Sequence, residues 1–294
     1  MYINNNSMSS NVANTLTSHY GNLATSTERL STGLRVNSAA DDAAGLAIRE
    51  LMRSDVTALQ QGIRNANDAI SLLQTADGAL GIIDEKLIRM KELAEQAATG
   101  TYDSTQRLMI ESEYQQMASE ITRIANATDF NGIHLLNGNL SSDTHVGSGL
   151  TSTGKMKIHF GSANDSAEDY YYIQIGTSTA SALGVGNQTE VGRAGYTVST
   201  QQQAQEALVA LTNAIVSKDK IRANLGAMQN RLENTISNLT TQSENLQAAE
   251  SRISDVDVAT EMTNFVRNQI LTQSAVAMLS QANSMPQMAM RLIG

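Results

Sequence analysis

Apolar residues along this 294-residue chain recur mainly in alternating steps of three and four, the spacing of helices that bury one stripe against a partner. One stripe runs through Leu16, Tyr20, Leu23, Leu30 and Leu34, with Thr27 at the skipped step. A second runs Val56, Leu59, Ile63, Ala66, Ile70, Leu73. Its phase breaks near Ala76-Asp77-Gly78 and resumes at Leu80, Ile83, Leu87, Met90, Ala94 and Ala97, which predicts a local change of supercoil rather than a helix end. Gly100 predicts the stop. A third helix is expected over roughly 104–128, before the turn-rich run TDFNGIHLLNG.

Residues 141–196 break this rhythm. Nine glycines fall in these 56 positions, and Met156, Ile158 and Phe160 alternate with Lys155, Lys157 and His159, the period of a strand. The run YYYIQIG predicts another strand, with the three tyrosines split across its two faces. From about 202 the helical rhythm returns through Leu225, Met228, Leu232, Thr235, Leu239, Gln242, Leu246, Ala249, Ile253 and Val256, with Thr235 and Gln242 as register-setting polar positions. Helices over 45–99 and 202–254 would each be about 80 Å long at ~1.5 Å per residue. The expectation is a mainly α fold: a long antiparallel helical coiled-coil rod formed by both chain ends, with a small β-rich insert in the middle. The expected divisions are 1–44 (N-terminal helix and joint), 45–140 (first part of the rod), 141–196 (insert), 197–254 (second part of the rod) and 255–294 (C-terminal helix).

Composition supports long helices. There is one proline, no tryptophan and no cysteine, and aromatics make up 4 %, so aliphatic seams must do the packing. Net charge is −9, from 20 basic and 29 acidic residues. The basic residues are spread among acids, which argues against nucleic-acid binding. No apolar run approaches the ~18 residues of a membrane span, and no basic-plus-apolar leader opens MYINNNSMSS. Charge is also uneven. Residues 1–40 carry only Glu28, Arg29 and Arg35, and residues 259–294 only Glu261, Arg267 and Arg291. In the last arm Met262, Phe265, Val266, Ile270, Leu271, Val276, Met278 and Leu279 occupy more than one helical face, so that helix expects to be surrounded. Identical neighbours are the economical way to surround it.

Catalytic chemistry finds little footing. Gly149–Lys155 approaches a phosphate-binding loop, but Met156 stands where a hydroxyl must ligate magnesium, and a strand follows where a helix is required. His19, His134, His145 and His159 are scattered without metal-ligand spacing. Asp41 and Asp42, adjacent within NSAADDAAG, lie about 100° apart on a helix and cannot face one site. They read as helix caps at a close-packed joint of Ala39, Ala40, Asp41, Asp42, Ala43, Ala44 and Gly45. No enzyme activity, metal or cofactor is expected.

The segment LSTGLRVNSAADDAAGLAI resembles the N-terminal signature of bacterial flagellins. NLTTQSENLQAAESRISDVDVATEMTNFVRNQILTQSAVAMLSQANSMPQMAMRLIG is similar to their C-terminal one. The likeness covers about 1–140 and 200–294. It implies a secreted, extracellular filament subunit used for swimming motility, exported unfolded through the flagellar type III channel. Paired terminal helices would form the inner tube, the long helices the next shell, and the insert would face solvent. Assembly of the arms would then rest on Leu16, Leu23, Leu30, Leu34, Met262, Phe265, Val266, Ile270 and Leu279. Implied partners are identical subunits, an export chaperone on the C-terminal arm, and filament-cap and hook-junction proteins. Flagellins recognised by the vertebrate receptor TLR5 share a Gln-Arg-x-x-x-Leu-x-x-Gln pattern. Arg89, Leu93 and Gln96 match it, with Glu113 on the next helix, while Ile88 stands in the place of the first Gln; a solvated Arg and Glu beside a seam Leu explains the same residues. The alternatives are a hook–filament junction protein of the same family, a secreted coiled-coil adhesin or effector acting as a discrete oligomer, and, more remotely, a hydrolase on the insert.

Overall fold

The computed structural model describes residues 6–146, 153–166, 168–186 and 195–293. Among them are five helices: α1 (Ser7–Thr32), α2 (Ala43–Ala98), α3 (Ser104–Ala127), α4 (Gln201–Ser254) and α5 (Val258–Ile293). Between α3 and α4 lie short strands, β1 (Asp129–Phe130), β2 (Ile133–His134), β3 (His145–Val146), β4 (Thr153–Gly154), β5 (Met156–His159) and β6 (Tyr170–Ile173). They pair antiparallel as β1–β2, β3–β4 and β5–β6. The fold is mainly α with small sheets in the middle of the chain. Gly149–Ser152, most of the phosphate-loop-like run, lies outside the described residues.

The helix ends follow local chemistry. Asn6 Oδ1 accepts the N–H of Ser9 at the start of α1, and Gly33, at φ 73°, closes its end by donating its N–H to Arg29 O. Only a residue free of Cβ strain takes that left-handed turn easily. Asp103 and Gln106 form a capping box at the start of α3.

The chain divides into two compact units, residues 1–56 with 244–294, and residues 57–243. In the first, α1 and α5 run antiparallel. Asn6 Nδ2 donates to Ala282 O at 2.8 Å and Ser9 Oγ to Asn283 Oδ1 at 2.8 Å. At the other end Leu34 bridges Asp255, and Arg35 N donates to Ser254 O at 2.6 Å. The facing stripe on α1 is Ser9, Val12, Leu16, His19, Leu23, Ser26 and Leu30; on α5 it is Glu261, Phe265, Asn268, Thr272, Ala275, Leu279 and Ala282. Both keep the three-four rhythm, but three of the seven members on each helix are polar.

In the second unit the buried stripe of α2 is Leu59, Gly62, Ala66, Ala69, Leu73, Ala76, Leu80, Ile83, Leu87, Met90, Ala94 and Ala97. It passes through Ala76 without interruption, so the expected phase break is absent. The larger Ile63 and Ile70 are only half-buried, because the backbone of the insert comes in over their small neighbours. A Cβ at Gly62 would collide with the carbonyl of Phe160, and Asn65 Nδ2 donates to His159 O at 2.8 Å. On α4 the stripe runs Ala204, Ala207, Leu211, Ala214, Lys218, Leu225, Leu232 and Leu239. Ser243 is buried and Gln242 exposed, one position away from the expected polar seam site. On the hairpin β5–β6, Met156, Ile158, Tyr171 and Ile173 face the helices. The fully buried Tyr114 of α3 donates its hydroxyl to Gly195 O at 2.6 Å and ties the end of the insert to the helical core.

Candidate functional site

The terminal helices carry the most unusual surface. The structure sorts the expected assembly residues into two groups. Leu16, Leu23, Leu30, Leu34, Phe265 and Leu279 are half-buried within the α1–α5 unit. Met262, Val266 and Ile270 point elsewhere, with 46 %, 45 % and 57 % of their surface exposed. Val258, Leu271, Val276, Met278, Met285 and Met288 are exposed as well. Meanwhile Ser26, Glu261 and Thr272 are buried. The pair buries Ser26, Glu261 and Thr272 among its leucines while it leaves large apolar side chains on its outer face, an arrangement unlike that of a helix pair that ends as a monomer.

The turn before α2 is held by its two carboxylates in separate roles. Asp41 Oδ2 accepts from Ser38 N at 2.9 Å, Ser38 Oγ at 3.1 Å and Asn37 N at 3.2 Å. The Ser38 backbone N–H first, and then its hydroxyl, hold the Asp41 carboxyl below the usual carboxylate range. Asp42 Oδ1 accepts from Gly45 N at 2.9 Å, capping α2. Gly45 is buried, and a Cβ there would strike the Asp42 carboxylate. Ala39, Ala40, Ala43 and Ala44 are exposed. Among the described residues no group of three His, Asp or Glu is placed to hold a metal ion.

Of the residues matched to receptor recognition, Arg89 donates from Nε and Nη2 to Glu113 Oε1 at 3.0 and 2.8 Å, and from Nη1 to Glu92 Oε2 at 2.9 Å. Gln96 Nε2 donates to Tyr102 OH at 3.0 Å. Leu93 lies in the core, one position off the α2 stripe.

Sequence reasoning missed an ion cluster. Lys218 is fully buried on the α4 seam, with Nζ 2.5 Å from Asp84 Oδ1 and 2.7 Å from Asp219 Oδ1. One turn on, Arg222 Nε donates to Asp77 Oδ1 at 2.7 Å. The signal was available: Lys218 is seven positions before Leu225, the first seam leucine read from the sequence.

Paired helices that hide polar groups and display apolar ones belong to self-assembling structural proteins. The comparisons with known proteins agree. Residues 3–141 match the bacterial flagellin N-terminal helical region and residues 208–293 the bacterial flagellin C-terminal helical region. The chain is 43 % identical over 267 residues to the flagellar filament 33 kDa core protein of Treponema phagedenis, covering 90 % of each. It is 40 % identical over 293 residues to a flagellar filament core protein of Brachyspira hyodysenteriae, covering both in full. It is also 40 % identical to the flagellin of Bacillus subtilis, again over the full length of both. The chain belongs to the bacterial flagellin family. It is a structural subunit of the flagellar filament, and these relatives favour neither the junction-protein nor the discrete-oligomer alternative.

Proposed function

We propose that this chain polymerises through its terminal arms, with identical subunits covering the outward apolar face of α5. That face carries the reading: Met262, Val266 and Ile270 are exposed on a helix whose own partner, α1, packs on the other side. Removing their exposed half from water is worth about 0.7–1.5 kcal/mol per side chain, and only other chains supply the cover. Residues 1–44 and 255–294 form the inner tube, 45–140 and 197–254 the next shell, and 141–196 the solvent-facing insert. The exposed alanines 39, 40, 43 and 44 leave room for neighbouring subunits at the joint. The protein is non-enzymatic and works outside the cell as a filament, growing between hook-junction and cap proteins. Before assembly an export chaperone covers the C-terminal arm. Electron microscopy of purified protein after seeding tests the reading: full-length chain gives long filaments, and chain lacking 260–294 gives a soluble helical monomer that no longer captures the chaperone. Normal filaments from the deleted chain would refute it. Recognition by TLR5 would use Arg89, Gln96 and Glu113, with Leu93 acting from inside. Unchanged receptor activation by Arg89→Ala would remove that assignment.

A further inference from the structure

The outward face of the β5–β6 hairpin has a composition that neither the core nor the helical seams require. Its cross-strand pairs are Lys157 with Tyr172 and His159 with Tyr170, and Lys155 and His145 flank them. Lys157 Nζ lies 3.5 Å from the centroid of the Tyr170 ring and Lys155 Nζ 4.7 Å from that of Tyr172. His159 stacks on Tyr170 at 6.0 Å and His145 lies against Tyr172 at 5.5 Å. In a chain with 29 acids, neither ammonium is in an ion pair among the described residues; Lys157 adds one hydrogen bond, to Asn164 Oδ1 at 3.3 Å. Two cations are thus held by aromatic rings, half-exposed, with donor capacity left over.

We propose that this face binds an acidic polysaccharide whose charge is carboxylate. Lys157 on β5 and Lys155 in the bend just before it are two residues apart, at most about 7 Å along the backbone, and give a carboxylate chain two successive anchors. Tyr170 and Tyr172 meet edge to face, at 81° and 5.4 Å. Perpendicular rings cannot stack successive flat bases, which disfavours single-stranded nucleic acid. Their faces are taken up in holding the lysines and histidines, so their part is to fix the two ammonium groups and to offer two hydroxyls to the rim of a sugar ring. Repetition along a filament would turn a weak single site into strong retention. That last step rests on the reading above, that the insert faces solvent in the assembled filament; the site itself does not.

Calorimetry on the full-length monomer at low salt tests the site with four probes: alginate oligosaccharides, heparin, neutral dextran and polyphosphate. Alginate binds, and dextran and polyphosphate do not. Lys155→Gln/Lys157→Gln weakens alginate binding at least about tenfold, the weight of lost charge-assisted hydrogen bonds, and Tyr170→Leu/Tyr172→Leu weakens it likewise. Arg123→Gln, which removes an exposed charge on α3, leaves binding unchanged. Circular dichroism confirms that each variant is folded. No alginate binding, binding unaffected by the lysine pair, equal binding of polyphosphate, or binding of heparin alone overturns the proposal. Repeating the alginate titration on filaments separates the two readings: binding by monomer but not filament supports the site and refutes the outward placement of the insert.

Discussion

The α1–α5 pair and the α2–α3–α4 core share one rhythm and use it in opposite ways. The core stripe buries Leu73, Leu80, Ile83, Leu87, Met90, Leu211, Leu225 and Leu232, and the exposed apolar residues of that unit, such as Ile82, Ile88, Val209 and Val216, are scattered among charges. The terminal pair places Ser9, His19, Ser26, Glu261, Asn268 and Thr272 in its stripe, while Met262, Val266 and Ile270 face outward. Burial of aliphatic surface is the dominant favourable term in folding and in association alike. The core spends it within one chain, whereas the arms hold it in reserve. On the proposed reading, the core is stable as a monomer and the arms only among neighbours.

The largest effect that would break this contrast lies on the outward face. Changing Met262, Val266 and Ile270 together to Gln should raise the critical concentration for assembly by about thirtyfold to a thousandfold, since the exposed half of each side chain is worth ~0.7–1.5 kcal/mol and each decade is about 1.4 kcal/mol. The thermal midpoint of the monomer should hardly move, as exposed substitutions usually fall within about ±0.5 kcal/mol. Sedimentation and a thermal melt measure the two. A large loss of monomer stability would mean that these side chains already have partners within the chain.

The core responds the other way. Leu87 is completely buried, and Leu87→Ala should destabilise the monomer by about 2–5 kcal/mol through lost transfer energy and a cavity. Filaments grown below the new melting point should keep normal length. An unchanged melt would show that α2 repacks freely around the gap.

These two surfaces differ in how legible they were. The helix ends were read to within about two residues, at 45–99 against Ala43–Ala98 and 202–254 against Gln201–Ser254, because caps, glycines and periodicity act locally. The phase of the α2 stripe was misjudged, because size was taken as a guide to depth. Gly62, Ala66 and Ala69 lie deeper than Ile63 and Ile70, since a backbone carbonyl from about a hundred residues away claims that space. No local window holds that information. The division of the arm residues was partly legible: Phe265, Thr272 and Leu279 repeat every seven, while Met262, Val266 and Ile270 repeat every four and drift off that face. Taking every apolar residue as equivalent hid the difference.

A smaller effect tests the polar point in the otherwise aliphatic core. Lys218→Ala would leave Asp84 and Asp219 without their ammonium. Breaking a buried pair costs about 3–5 kcal/mol; here the loss should fall toward or below the low end, because Asp84 and Asp219 remain partly in water. Lys218→Met fills the same volume and should restore part of the stability. Denaturant melts of the two variants separate a lost charge from lost packing, and equal destabilisation by both would assign the role to the ammonium alone.

The smallest effect belongs to the turn that opens α2. Asp41 is exposed, and its carboxylate accepts two backbone N–H groups and one hydroxyl, so its pKa in the folded chain lies below the ordinary value. The sign follows from linkage. A carboxyl with a depressed folded pKa adds stability that is fully present above its unfolded pKa, near 3.9. That stability fades as pH falls through the folded value. Asp41→Asn keeps one side-chain acceptor and loses the charge, so at neutral pH the loss should be slight. As pH falls below the ordinary carboxyl value and on through the lower folded one, the variant and the parent should converge, because protonation then makes the parent Asp41 neutral as well. Chemical denaturation from pH 7 down to pH 3 measures both limits. A loss that stays constant across that range would mean that Asp41 holds the turn through shape and not through its charge.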